Sequence, residues 1–194
     1  MDYTPVISNL VKYAIGETVD SAVYPYLRLM MEQGVGKPGE LIVASVLGYE
    51  VRNQCIHGED AYNHTSNCLV EIKCESDSDS QHLSGNAAWS SIQSNTKVQK
   101  LWDDNMQLAQ AGFTKKGRLV YILTKMINET SIPGKIQEYL SCNMSKTPKT
   151  THVQLGDYFD VPYLNKKYLE RVGMSNPFNK NYYIIMLDND IHFC

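Results

Sequence analysis

Residues 58–74 read Gly-Glu-Asp-Ala-Tyr-Asn-His-Thr-Ser-Asn-Cys-Leu-Val-Glu-Ile-Lys-Cys. The second half of this segment has strand character, and successive side chains of a strand point to opposite faces, so Glu71 and Lys73 share a face. Asp60 precedes the strand across a short polar turn, which brings a second carboxylate toward Glu71. Two converging carboxylates can bind a hard cation such as Mg²⁺. A lysine beside them can orient a water molecule or stabilise negative charge on a phosphate.

The sequence on either side of this segment predicts further helices and strands in one domain, residues 1–194. An amphipathic helix is predicted within residues 1–19 and ends at Gly16. The continuous apolar centre of 118–125 is typical of a strand covered on both faces. Other helices are predicted at 22–33, 40–47, 87–111, 132–140 and 162–172, strands at 49–54, 68–74, 118–125, 153–160 and 182–187, and loops at 34–39, 75–86 and 145–151. We expect an α/β (α+β) fold, with a central mixed β-sheet flanked by helices.

The predicted helix at 22–33 is apolar over much of its circumference, which indicates burial on more than one face. Pro25 fits only in its first turn. One interpretation is a helix of the core; the other is that the helix also forms a subunit interface. Residues 1–33 are therefore a helical N-terminal part of the domain that could serve in dimerisation.

Composition and charge exclude several classes of protein. The 194 residues are 43% apolar, with no run long enough to span a membrane and no secretory signal at the N-terminus. Five cysteines, an odd number without C-x-x-C spacing, argue against a disulfide framework or a zinc site and favour a cytoplasmic protein. A net charge of −3 disfavours non-specific coating of nucleic acid but leaves room for a DNA enzyme with a local basic cleft. The glycines of 34–39 lack the Walker spacing, so no nucleotide cofactor is expected.

The residues that carry a family resemblance are Asp60, ten intervening residues, and then Glu71-Ile72-Lys73. This pattern resembles the PD-(D/E)XK nuclease superfamily, without its leading proline. The Gly-x-Asp-Ala context is most similar to small type II restriction endonucleases of the PvuII kind. The resemblance covers about residues 34–125, and it depends on the order of the elements because many strands carry Glu-x-Lys.

The resemblance implies a role for each matching residue. Asp60 and Glu71 would be the metal-binding carboxylates for Mg²⁺, with Mn²⁺ able to substitute, and Lys73 would position or activate the attacking water. Glu40, on the helix before the first strand, would be an auxiliary acid. Glu59 is the alternative third acid, although neighbouring residues on a strand face opposite ways.

Side chains suited to DNA contact follow the Glu71–Lys73 strand. Polar groups that can read base edges are Gln81, His82, Ser84, Asn86 and Ser90. Basic groups that can contact phosphates are Lys97, Lys100, Lys115, Lys116, Arg118, Lys146 and Lys149. His57 and His64 flank the acidic segment, but neither is assigned as a ligand.

These observations predict a Mg²⁺-dependent type II restriction endonuclease that cleaves double-stranded DNA at a specific short sequence. One site per chain requires two chains for double-strand cleavage, so a homodimer is expected. Two alternatives stay open. The first is a phage or repair nuclease of the same fold that reads DNA structure. The second is a catalytically silent DNA-binding or assembly module.

Overall fold

The computed structural model describes residues 4–52, 59–76, 87–89, 106–129, 133–134, 137–138, 151–153, 184–187 and 190–193. The helices there are α1 (Thr4–Ile15), α2 (Tyr24–Gln33), α3 (Gly36–Val46) and a 3₁₀ turn (Ile127–Glu129). The strands are β1 (Glu50–Val51), β2 (Ala61–Asn63), β3 (Cys68–Ser76), β4 (Ala87–Trp89), β5 (Met106–Phe113), β6 (Leu119–Met126), β7 (Thr151–Val153), β8 (Ile184–Leu187) and β9 (Asp190–Phe193). Of the helices in these ranges, none has the length and apolar character needed to cross a membrane.

Seven of the strands form one mixed sheet in the order β1-β2-β3-β5-β6-β8-β9. β3 runs parallel to β5, and β6 runs parallel to β8, whereas the other neighbouring pairs are antiparallel. β4 and β7 pair separately as a two-stranded sheet. The predicted α+β class with a central mixed sheet is confirmed.

The core lies between the helices and one face of the sheet. Alternate residues of β3 are buried on this face, and β5 is buried along its whole length. The three α-helices and the strands β2, β3, β5 and β6 contribute to an apolar cluster, whose members include Leu10, Tyr13, Leu27, Met31, Ile42, Val43, Val70, Ile72, Ala109, Ala111, Phe113 and Ile122. Burial of large apolar side chains stabilises a fold by about 1.5–3 kcal/mol each.

The N-terminal helices α1 and α2 contact the turn between β5 and β6. The Tyr13 hydroxyl donates to the carbonyl of Lys116 (2.7 Å), and Arg118 Nη1 donates to the Tyr13 carbonyl (2.6 Å). Gly117 has a φ of +76°, and a Cβ there would lie 2.3 Å from the Cβ of Met31. α1 and α2 are therefore integral to the core, and Arg118, predicted as a phosphate contact, has structural partners.

The predicted long helix at 87–111 is wrong at both of its described ends. Residues 87–89 form β4, and 106–111 belong to β5, while 90–105 lie outside the described residues. The sequence Met-Gln-Leu-Ala-Gln-Ala contains good helix formers. It is a strand because it pairs with β3 on one side and β6 on the other and is buried throughout, and such tertiary contacts outweigh local propensity.

The predicted loop at 34–39 is also wrong over most of its length, because α3 begins at Gly36 rather than Glu40. Pro38 falls in the first turn, where a missing N–H costs nothing. The Gly39 N–H donates to the carbonyl of Val35 (2.7 Å), which closes that turn. Lys37 consequently lies on the helix, one turn before Glu40.

The remaining elements differ from prediction mainly at their ends. The helix after residue 3 ends at Ile15, before Gly16 with its φ of +87°, and the helix predicted at 22–33 spans Tyr24–Gln33. The strands predicted at 49–54, 68–74, 118–125 and 182–187 appear as Glu50–Val51, Cys68–Ser76, Leu119–Met126 and Ile184–Leu187. Of the strand predicted at 153–160, the structure describes only Val153, which ends the strand Thr151–Val153. β3 thus takes the first two residues of the loop predicted at 75–86, and β7 takes the last residue of the one at 145–151. Of the helix predicted at 132–140, the structure describes residues 133–134 and 137–138, and these are helical. The parts of predicted elements that lie outside the described residues are 53–54, 77–86, 145–150, 154–160, 162–172 and 182–183.

Gly39 allows α3 to approach β3 closely, and this makes a testable pair with Gly36. A Cβ at position 39 would lie 2.8 Å from Cys74 Sγ and 3.3 Å from the Phe113 ring. We expect Gly39→Ala to lower the free energy of unfolding by about 1–3 kcal/mol through overpacking. Gly36→Ala meets nothing within 4 Å and should be neutral or stabilising by up to about 1 kcal/mol. Urea denaturation of both variants measures the difference, and equal stabilities would contradict the close packing.

Candidate active site

β2 and β3 separate at Asp60, and this separation creates the site. The two strands pair only from Cys68 to Val70 of β3. The Asp60 N–H still donates to the Val70 carbonyl (3.0 Å), but the Ile72 N–H donates to the Asp60 side-chain Oδ2 (2.9 Å). The carboxylate therefore takes the place of a strand partner and is held at the edge of β3.

Glu71 and Lys73 lie on the face of β3 opposite the helix-packed core, as the alternation of the sequence predicts. Val70 and Ile72 are buried, while Glu71 and Lys73 keep partial exposure. Lys73 Nζ forms an ion pair with Glu71 Oε1. The predicted carboxylate and ammonium are thus in direct contact on a strand next to Asp60.

α3 brings a third acid and a second lysine to the same place. Lys37 Nζ lies 2.5 Å from Glu40 Oε2 and 3.9 Å from Asp60 Oδ1. Glu40 is therefore joined through Lys37 to Asp60. Asp60, Glu71 and Glu40, together with Lys73 and Lys37, form an acid cluster. Glu59, the alternative third acid, forms no ion pair with any residue that the structure describes.

The acids of this cluster repel one another. Burial, and then the negative charge of Glu71, raise the pKa of Asp60 to about 6. Glu40 acts in the same direction, while the Ile72 N–H and the charge of Lys73 act against it. Burial and neighbouring negative charge therefore disfavour the ionised form of Asp60, which a bound cation would favour.

Cys74 is next to this cluster but has no role as a nucleophile. Its side chain packs at the position where Gly39 lacks a Cβ. Burial, followed by the charges of Glu40 and Asp60, raises the pKa of its thiol. The thiol stays protonated, and only the thiolate is a strong nucleophile.

His64 contacts residues other than the acids of the site. Its Nε2 is 2.6 Å from Glu50 Oε2, and its ring packs edge-on against Tyr62. Lys115 and Lys116 are exposed in the β5–β6 turn. The other predicted contact residues and the second histidine lie outside the described residues: His57, Gln81, His82, Ser84, Asn86, Ser90, Lys97, Lys100, Lys146 and Lys149.

Two residues of the site were not predicted from the sequence, Lys37 and Gly39. The assignment of 34–39 to a loop concealed both. Residues three apart on a helix are neighbours, so a helix that begins at Gly36 rather than Glu40 pairs Lys37 with Glu40. The helix-compatible position of Pro38 was the available signal.

The oxygen donors of the site suit a small hard cation. Within the described ranges, no three or more His, Cys, Asp and Glu side chains are grouped closely enough to enclose a metal ion. Asp60 and Glu71 supply two carboxylates, and Mg²⁺ usually binds through one or two carboxylates while keeping several waters.

No family model matches the chain, and comparisons with curated proteins and with solved structures returned no match. Because a fold by itself does not define an activity, function is inferred from the side chains of the site.

Asp60→Asn is expected to stabilise the metal-free protein at neutral pH. The pKa of Asp60 in the folded chain, about 6, lies above its ordinary value of 3.8. The contribution of the Asp60 carboxyl group to the stability of the folded protein is therefore fully present below about pH 4 and is lost as the pH rises through about 6. Asparagine can still accept the hydrogen bond from Ile72, so the variant should gain about 1 kcal/mol at pH 7.5, a figure reduced for partial solvent exposure.

Urea denaturation in EDTA at pH 5 and pH 7.5 measures this difference. The advantage of Asp60→Asn should shrink at pH 5, and Glu59→Gln provides the control for loss of a neighbouring carboxylate. If Asp60→Asn were less stable than the wild type at pH 7.5, the raised pKa of Asp60 would be contradicted.

Proposed function

We propose that this protein is a Mg²⁺-dependent endonuclease of the type II restriction class that hydrolyses phosphodiester bonds in double-stranded DNA. The observation that carries the proposal is the meeting of Asp60, Glu71 and Lys73 at one edge of β3. Glu40 joins them from α3. The resemblance of these same residues to the PD-(D/E)XK nuclease pattern supports the proposal.

The residues fit a divalent cation on the chemistry of their donors. Asp60 and Glu71 offer carboxylate oxygens only, and their mutual repulsion favours a positive partner. When bound, Mg²⁺ supplies positive charge against a phosphate and lowers the pKa of a water molecule. Mn²⁺ prefers the same ligands and is expected to substitute.

Asp60 and Lys73 have separate roles in the proposed hydrolysis. Asp60 is oriented by the Ile72 N–H, so its carboxylate is held in place before substrate arrives. Lys73 places a positive charge beside Glu71, where it stabilises the charge that builds on the phosphate and orients the attacking water. Water adds to phosphorus and releases a proton to solvent, the bond to one deoxyribose oxygen breaks, and that oxygen takes up a proton from solvent.

α2 supports the expectation of a homodimer. Leu27 and Met31 face the core, whereas Tyr26 is 73% exposed and Leu29 is 53% exposed. Met30 lies one turn beyond Tyr26 and is also exposed. Apolar side chains grouped on one exposed helix face are typical of an interface. Two copies paired here would present two sites to a two-fold symmetric DNA target.

Removal of a cluster side chain is expected to abolish cleavage. Asp60→Ala and Lys73→Ala should each lower Mg²⁺-dependent cleavage of plasmid DNA by at least about 100-fold, with circular dichroism unchanged. Lys12→Ala, which removes an exposed lysine of α1, is the matched control. Full activity in either cluster variant would contradict the assignment of the site.

The cleavage products distinguish the proposal from its alternatives. Discrete fragments in Mg²⁺, absent in EDTA, support a sequence-specific enzyme. Nicking or cutting at DNA junctions favours a structure-selective nuclease. Absence of cleavage of any substrate by the folded wild type favours a silent binding module.

Leu29→Glu is expected to separate the dimer, because it places a charge within the exposed apolar face of α2. Sedimentation should show a dimer for the wild type and a monomer for the variant, and double-strand cuts should become single-strand nicks. Val6→Glu removes an exposed apolar side chain of α1 and should remain dimeric. A monomeric wild type, or a variant that stays dimeric, would contradict this role of α2.

A further inference from the structure

Lys37 lies in the first turn of α3, and its side chain reaches two acids on different elements. Its Nζ is 2.5 Å from Glu40 on the same helix and 3.9 Å from Asp60 beside β3. The Lys37 side chain is 56% exposed, whereas that of Lys73 is 23% exposed. The site therefore has an inner lysine and an outer one at its boundary with solvent.

The charges around Lys37 distinguish it from an ordinary surface ion pair. Burial alone lowers the pKa of Lys37, but the hydrogen bond and charge of Glu40, followed by Asp60 and Glu71, raise it overall. The ammonium group thus interacts with all three acids of the cluster. Arg28 and Glu32 on α2 form a simple pair between successive turns of one helix by comparison.

We propose that Lys37 is the counter-ion of the acid cluster in the metal-free protein and that it moves to a DNA phosphate when a divalent cation binds. The proposal rests on the proposed function. The cation and the ammonium group are attracted by the same carboxylates and repel each other, so both cannot occupy the cluster at full strength. Lysine has a flexible four-carbon stem, and this one is already half in solvent, where the DNA backbone would lie.

This exchange makes two opposite predictions for a single substitution. Lys37→Gln removes a competitor for the carboxylates, so metal should bind more tightly in the absence of DNA. The same substitution removes a phosphate contact, so DNA should bind more weakly. A lysine that only stabilised the first turn of α3 would produce neither effect.

The predicted gain in metal affinity is measured by calorimetric titration of Mn²⁺ into the full chain at low salt. Lys37→Gln is expected to raise Mn²⁺ affinity about 3- to 10-fold, in line with the modest strength of a partly exposed ion pair. Lys37→Arg should behave as the wild type because it keeps the charge. Lys12→Gln controls for loss of one positive charge elsewhere.

The predicted loss of DNA affinity is measured by fluorescence anisotropy with a short mixed-sequence duplex in Ca²⁺ at several salt concentrations. A phosphate contact is independent of sequence, so the recognition site need not be known. Lys37→Gln should weaken binding and lower the slope of log affinity against log salt by about one. Lys12→Gln should leave the slope unchanged.

The outcomes separate this inference from the proposed function. If the wild type binds Mn²⁺ and Asp60→Ala does not, but Lys37→Gln has unchanged or weaker Mn²⁺ affinity, the role of Lys37 is overturned and the site stands. An unchanged salt slope for Lys37→Gln also overturns it. If the wild type binds no Mn²⁺, the proposed function and the role of Lys37 are overturned together.

Discussion

The hydrogen bond from the Ile72 N–H to the Asp60 carboxylate joins the architecture of the sheet to the chemistry of the site. β2 stops pairing with β3 after Val70, and without Asp60 the next N–H of β3 would be exposed at an open edge. One carboxylate oxygen satisfies that donor. The same bond fixes the carboxylate beside Glu71, so the point where the sheet opens is also the point where the acids converge.

A second constraint, the absence of a side chain at Gly39, determines what α3 contributes. The first turn of α3 packs directly on Cys74, which delivers Glu40 and Lys37 to the edge of β3. The resulting cluster is electrostatically strained, because burial, and then the charges of Glu71 and Glu40, raise the pKa of Asp60 despite the charge of Lys73. Strain of this kind lowers stability and is commonly tolerated where a site must bind a charged ligand.

The sequence predicted the parts of the fold that depend on local pattern and missed those that depend on tertiary packing. The alternation around Glu71 and Lys73 gave the correct strand and the correct shared face. The segment 106–111 is predicted as helix because its residues favour helix locally, and only pairing with β3 and β6 makes it a strand. The place of Lys37 on a helix is not predicted, because the glycines and proline of 34–39 suggest a loop, whereas close contact with Cys74 favours a helix there.

The proposed function requires Asp60 and Glu71 to bind one divalent cation together. Crystals grown with Mn²⁺ and measured at a wavelength of strong manganese absorption test it most directly. We expect an anomalous peak within about 2–2.6 Å of an oxygen of each carboxylate, with Lys37 Nζ displaced from Asp60. A peak elsewhere on the chain, or none while Lys37 stays between Glu40 and Asp60, would contradict it.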